Sequence, residues 1–168
     1  MIATALDSDA PLGSRRAIIR YNAAELEMVE LAWGFRPKTA DDRPFRFVQS
    51  EGRTFPSHRC LIPASEFHVT TAKRRYKFAL EDGNWFYLAG IWRPATQGWP
   101  ESYAILTIEA NPEVARYQER QGAVLLRRQR MDWLDSTTSE ADLLQPLPAR
   151  SFDVSELTTG IAESLLPI

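Results

Sequence analysis

Between Arg59 and Ile108 the chain is a succession of short apolar and alternating runs, and this stretch limits the fold more than any other. Arg59 to Ile62 reads as a short apolar strand ended by Pro63, and Phe67 to Thr71 follows it. Tyr76, Phe78 and Leu80 alternate with Lys77 and Ala79, the period of two expected of a strand buried on one face. Asp82-Gly83 has the chemistry of a hairpin turn, and Trp85 to Trp92 returns as a strongly apolar strand. Tyr103 to Ile108 is a further strand, and Ala17 to Arg20 and Met28 to Trp33 precede them all. Arg36 to Arg46, with two prolines and the Asp41-Asp42 pair, reads as a loop.

After Ile108 the pattern turns helical. Asn111-Pro112-Glu113 places a cap, a proline and an early acid in order, which predicts a helix running to about Arg120. Ala123 to Leu126 is a buried strand, and Arg127 to Leu134 and Thr137 to Leu144 are short helices. Thr137 and Glu140 have capping-box spacing. Antiparallel strands with helices set to one side define an α+β fold.

The 168 residues suffice for one domain with a sizeable core, and 44% hydrophobic with 25% charged residues is an ordinary globular composition. Residues 1–168 are therefore read as a single domain, with residues 1–16 expected to be loose. No apolar run approaches the ~20 residues that would span a bilayer, and the first residues lack the basic and apolar regions of a secretory signal. The single cysteine, Cys60, excludes an internal disulfide and gives no reason to invoke an oxidising compartment, so the expected setting is the cytoplasm. A monomer is the expected state. Net charge is −2, so any nucleic-acid contact must be local. The only lysines are Lys38, Lys73 and Lys77; the other basic residues are arginines, which suit bidentate phosphate contact and base stacking. Two histidines and one cysteine are too few for a zinc site without several carboxylates, and neither a metal nor a cofactor is expected.

The run Arg59-Cys60-Leu61-Ile62-Pro63-Ala64-Ser65-Glu66-Phe67, read with Ser50-Glu51-Gly52-Arg53 before it, resembles a motif of the SOS response-associated peptidase family. Leu31 to Phe35 resembles the family's Trp-Gly segment, and Phe45 to Phe55 its Asn-x-Arg-Ser-Glu segment. Trp85 to Trp92 resembles the central strand, Tyr117 to Leu125 the segment holding the family's histidine, and Leu144 to Pro148 also fits. Together these cover roughly residues 28–150 in order. The resemblance implies a barrel-like, mainly antiparallel sheet with a few peripheral helices. It also implies binding of single-stranded DNA and shielding of abasic sites through a covalent link to an amino-terminal cysteine.

That chemistry, as the resemblance implies it, traps an aldehyde. A free amine attacks the ring-opened sugar and the thiol on the neighbouring carbon closes a thiazolidine. Position 2 is Ile2, and the amine of Cys60 is tied in a peptide bond. In the register of the motif the family's asparagine falls on Phe47, the arginine two residues on falls on Gln49, the glutamate falls on Val69 and the histidine on Gln118. Valine and glutamine cannot transfer a proton near neutral pH. Glu66 and His68 are the nearest ionisable neighbours of Val69, but odd offsets along a strand point them to the opposite face, His68 unless the strand bulges. Glu119 lies beside Gln118. Cys60, between Arg59 and two aliphatic residues, reads as core.

Binding residues remain. Trp33, Ser50, Arg53, Arg59 and Arg120 stand at or beside motif positions and would provide an arginine-lined groove with an aromatic platform for single-stranded or abasic DNA. The alternative is that Arg59 and Arg120 pair with Glu51 or Glu119 and hold the fold. Trp85, Phe86, Tyr87, Trp92 and Trp133 read as core. Three functions follow: a degenerate member that binds DNA without the covalent step, an active enzyme whose true start lies upstream, and an interaction protein without a nucleic-acid role.

Overall fold

A computed structural model describes residues 4–6, 10–37, 39 and 42–157. Its strands are β1 (Thr4–Leu6), β2 (Arg15–Asn22), β3 (Glu25–Trp33), β4 (Phe47–Gln49), β5 (Arg59–Thr71) and β6 (Arg74–Leu80). They continue with β7 (Phe86–Arg93), β8 (Ser102–Glu109), β9 (Arg120–Gly122), β10 (Val124–Leu125) and β11 (Phe152–Leu157). The helices are short: α1 (Pro112–Ala115), α2 (Arg130–Leu134), which follows a 3-10 turn at Arg127–Gln129, and α3 (Glu140–Leu143). Among the described residues no helix is long and apolar enough to cross a membrane.

Five strands close a ring. β2 pairs antiparallel with β3 and β5, β5 with β7, and β7 with β8, while β3 meets β8 in parallel at Ala32 and Trp33. The barrel-like sheet is therefore mixed, with β1 and β4 also added in parallel. Alternation along the strands divides the apolar residues. Cys60, Ile62 and Ala64 of β5 meet Ile18, Leu31, Trp33, Leu88, Trp92, Tyr103 and Ile105 in one cluster. Leu61 of β5 turns the other way and packs with Ile19, Ala89, Leu106 and Trp133 under α2 and α3. Gly90 permits the close approach of β5, β7 and β8: a Cβ there would lie 2.4 Å from Ile62 Cδ1 and 2.9 Å from the Ala104 carbonyl oxygen.

The structure corrects several local expectations. Within residues 1–16, Thr4–Leu6 forms β1 and Arg15 and Arg16 open β2, with residues 10–14 in a bend and turn ahead of β2; residues 1–3 and 7–9 lie outside the described residues. Pro63 does not end its strand. It sits where β5 changes neighbours on one edge, between the pairing with β2 at Cys60 and Leu61 and the pairing with β1 from Ala64 onward. Arg16 fills that gap, donating from Nη1 to the Ala5 carbonyl at 2.8 Å and from Nη2 to the Pro63 carbonyl at 2.6 Å. A proline lacking its N–H is tolerated where the ladder is already interrupted.

Asp82-Gly83 is a turn, with Gly83 at φ 78°, but it joins no hairpin. β6 pairs with β5 and β11, and β7 with β5, β8 and β10. The tight hairpins are elsewhere, at Ala23-Ala24 and Ala72-Lys73, all four residues having positive φ. The helix at Pro112 stops at Ala115, although Asn111 caps it as its sequence predicts, accepting from Val114 N at 3.0 Å. α3 is capped by Ser139 in place of Thr137.

Candidate functional site

β8 outruns its partners in the ring. Its first half pairs with β3 and β7, whereas Ile105 to Thr107 pair with β4 and Thr107 to Glu109 pair with β9. A cleft of about 370 Å3 opens beside this end of β8. Phe47 of β4, Thr107 of β8, and Gln118 with Arg120 around the start of β9 line one part of it; Phe67 and His68 of β5 and Leu6 of β1 line another. Two of the positions singled out by the motif register, Phe47 and Gln118, thus come together although 71 residues apart in sequence.

Phe47 is 39% exposed and stands perpendicular to the Trp33 ring with centroids 5.4 Å apart. Trp33 itself is buried, donates from Nε1 to the Arg46 carbonyl at 3.2 Å, and lies beneath the Arg46 guanidinium. Trp33 therefore supports the platform and does not form it. Gln118 is exposed, and among the described residues its side-chain amide has no hydrogen-bond partner.

Arg120 is held from two sides. Nη1 and Nη2 meet the two Glu51 carboxylate oxygens at 3.1 and 2.7 Å, and Nε donates to Thr107 Oγ1 at 3.1 Å. This fork lowers the Glu51 pKa below its ordinary value. His68 lies 2.5 Å from Glu66 Oε2 through Nε2 and 3.1 Å from Arg75 Nη2 through Nδ1. His68 lines the cleft, and so does Phe67, which packs in the same core cluster as Val69. Val69 is packed into the core and does not line the cleft. Alternation puts His68 away from the site unless the strand bulges, and the register of β5 against β1 does skip a residue between Ala64 and Glu66.

The remaining predicted residues separate. Ser50 is buried and donates to the Thr107 carbonyl at 2.8 Å, closing the turn after β4. Arg59 is buried beneath α2 and α3: Nε donates to the Phe55 carbonyl at 2.8 Å, Nη1 to the Trp133 carbonyl at 3.0 Å, and Nη2 lies 3.3 Å from Glu140 Oε2. It belongs to the fold, with Glu140 as partner in place of Glu51 or Glu119. Arg53 is exposed in the turn after Ser50 and does not line the cleft. Arg46, next to Phe47, was not singled out from sequence. Among the described residues neither Arg46 nor Arg53 is paired with a carboxylate.

Cys60 is fully buried, and loss of water pushes its thiol pKa far above the ordinary value. It cannot act as a nucleophile in the folded protein. Phe86, Tyr87, Trp92 and Trp133 are buried and Trp85 is half-buried, in keeping with their reading as core. Ile2 lies outside the described residues.

A family model described as SOS response associated peptidase (SRAP) matches residues 8–164. No curated protein matches the chain. Three solved structures share the fold. A protein of Bordetella bronchiseptica is 23% identical with a TM-score of 0.73, over 91% of this chain and 90% of its own. A protein of Bacteroides thetaiotaomicron is 20% identical with a TM-score of 0.65, over 90% of this chain and 77% of its own. A phage-related protein of Bordetella bronchiseptica is 18% identical with a TM-score of 0.68, over 89% of this chain and 81% of its own.

Proposed function

Since the chain belongs to the SOS response associated peptidase family, we propose that it binds single-stranded DNA at the cleft beside β8 without forming a covalent link. The observation that carries this reading is the exposed Phe47 ring, placed in the cleft with Arg46 next to it in the chain. Single strands are held by such a combination: an aromatic face for a base and arginines for the backbone. Phe45, 37% exposed, and Arg43, also exposed, extend the same alternation of aromatic and basic residues ahead of Phe47. Among the described residues no carboxylate lines the cleft.

The non-covalent part of the reading rests on chemistry. Phe47, Gln118 and the core residue Val69 carry no proton to transfer near neutral pH. His68 and Arg120, the ionisable groups that do line the cleft, are held by Glu66 and Glu51. Cys60 is sealed in the core.

Gel-shift titration with a single-stranded oligonucleotide at two salt concentrations tests the binding. Contact with about three phosphates gives a slope of log affinity against log salt of about −2. Absence of a shift refutes DNA binding and favours a protein-interaction role for exposed Phe47, and a salt-independent shift refutes the arginine–phosphate contacts. Incubation with an abasic strand tests the chemistry, and a band surviving denaturation would refute the non-covalent assignment.

A further inference from the structure

The groups that remain available in the cleft are neutral. Arg120 is engaged by Glu51 and Thr107, and His68 by Glu66. Leu6, Phe67 and Leu88 provide apolar wall. What faces a ligand with unspent capacity is the Phe47 ring and the Gln118 amide. A primary amide offers one acceptor oxygen and two N–H donors, the complement of a nucleobase edge. An aromatic ring offers a face for stacking. A base-free sugar has neither a π-face for Phe47 nor a planar polar edge for Gln118.

We propose that the cleft takes an intact, unstacked nucleobase from a single DNA strand, with Phe47 as its stacking platform and Gln118 reading its edge. This rests on the single-strand binding proposed above and specifies which part of the strand enters. The division of charge supports it. A neutral base goes to the neutral recess, and the phosphates remain outside it, toward Arg46 and Arg53, which no carboxylate pairs among the described residues. Trp33 fixes Phe47 from behind at 90°, so the ring is positioned before the base arrives. The site would thus discriminate against the abasic strand.

The experiment compares two labelled strands by fluorescence anisotropy. One is a sugar-phosphate strand made wholly of tetrahydrofuran units, and the other is the same strand with a single central thymine. The base-bearing strand should bind roughly tenfold tighter, the scale of one base stacked on one aromatic ring. Phe47→Ala should abolish that difference. Phe47→Leu, which keeps an apolar side chain without the π-face, should lose most of it as well. Gln118→Ala should change the ranking among strands carrying thymine, cytosine, adenine or guanine. Equal or tighter binding of the base-free strand overturns the inference while leaving single-strand binding intact. Failure of every strand to bind overturns both. Free thymidine binding as tightly as the strand, with the same dependence on Phe47, assigns the site to a nucleoside and overturns the strand as its source.

Discussion

Replacing Arg59 with methionine should unfold the protein far more readily without touching the cleft beside β8. The side chain is 5% exposed and joins three segments at once: the Phe55 loop, the end of α2 at Trp133, and Glu140 of α3. Its guanidinium also lies 4.2 Å from the Trp133 ring centroid. Each hydrogen bond from a charged donor contributes about 1.5–3 kcal/mol, and breaking a buried ion pair by removing one partner costs about 3–5 kcal/mol. These overlap, because the same group makes them. Glu140 is 17% exposed, so water relieves part of its lost partnership. Glu140 also keeps the donation from Phe55 N. The net loss should be about 3–4 kcal/mol. With a urea dependence of about 2 kcal/mol per molar, the midpoint moves down by about 1.5–2 M with an unchanged slope. Arg59→Lys should recover some of the charge interaction but not the three-way fork, and should fall between. Urea unfolding followed by tryptophan fluorescence measures this. A midpoint shift under about 0.5 M for Arg59→Met, about 1 kcal/mol, would refute the role assigned to Arg59. Under native conditions the folded variant should show the parent's behaviour in the single-strand binding assay proposed above.

Three further outcomes are expected. Val69→Glu places a carboxylate in the core at a position 2% exposed; it should destabilise by more than about 3 kcal/mol and create no abasic-site cross-linking, and a stable variant with such activity would show that the cleft reaches Val69. Cys60 should resist an aromatic disulfide reagent at pH 8 in the folded protein and react at the rate of global unfolding, read as absorbance against urea; immediate stoichiometric reaction contradicts its burial. Stability should fall in acid: the Phe55 N–H and the Arg59 guanidinium hold the Glu140 carboxyl below its ordinary 4.5, and Arg120 does the same for Glu51. Their stabilisation is complete above pH 4.5 and is lost as pH drops through the lowered folded values, because the unfolded chain takes up protons first. Urea midpoints at pH 7 and pH 3 should differ less in Glu140→Gln than in the parent, and an equal difference in both would assign the acid loss to other groups.

Much of the fold could be read along the chain because strands that bury a face must alternate or run apolar. The stretches Tyr76–Leu80 and Tyr103–Ile108 lie within β6 and β8, and Trp85–Trp92 coincides with β7 from Phe86 onward. Turn chemistry was less legible. The hairpins at Ala23-Ala24 and Ala72-Lys73 hold positive φ without a glycine or asparagine to announce it, so pairing across the hairpin sets the backbone against local preference. Asp82-Gly83 had the local signal without the pairing. β11 escaped notice because Phe152–Leu157 has its ladder along β6 and little apolar pattern of its own.

For the site, sequence by itself determined the family and the chemical identity of each position: an aromatic at 47, an amide at 118, an aliphatic residue at 69 and one cysteine within an apolar run. Which way those groups face was left to tertiary structure. Trp33, Ser50 and Arg59 carry the residue types of a DNA-binding surface yet are buried, since burial depends on what packs from distant segments such as α2 and α3. His68 and Phe67 came to the cleft, and Val69 to the core, because alternation dictates only that neighbours diverge; the register shift of β5 against β1 and the strands that assemble around it decide which residues meet the site.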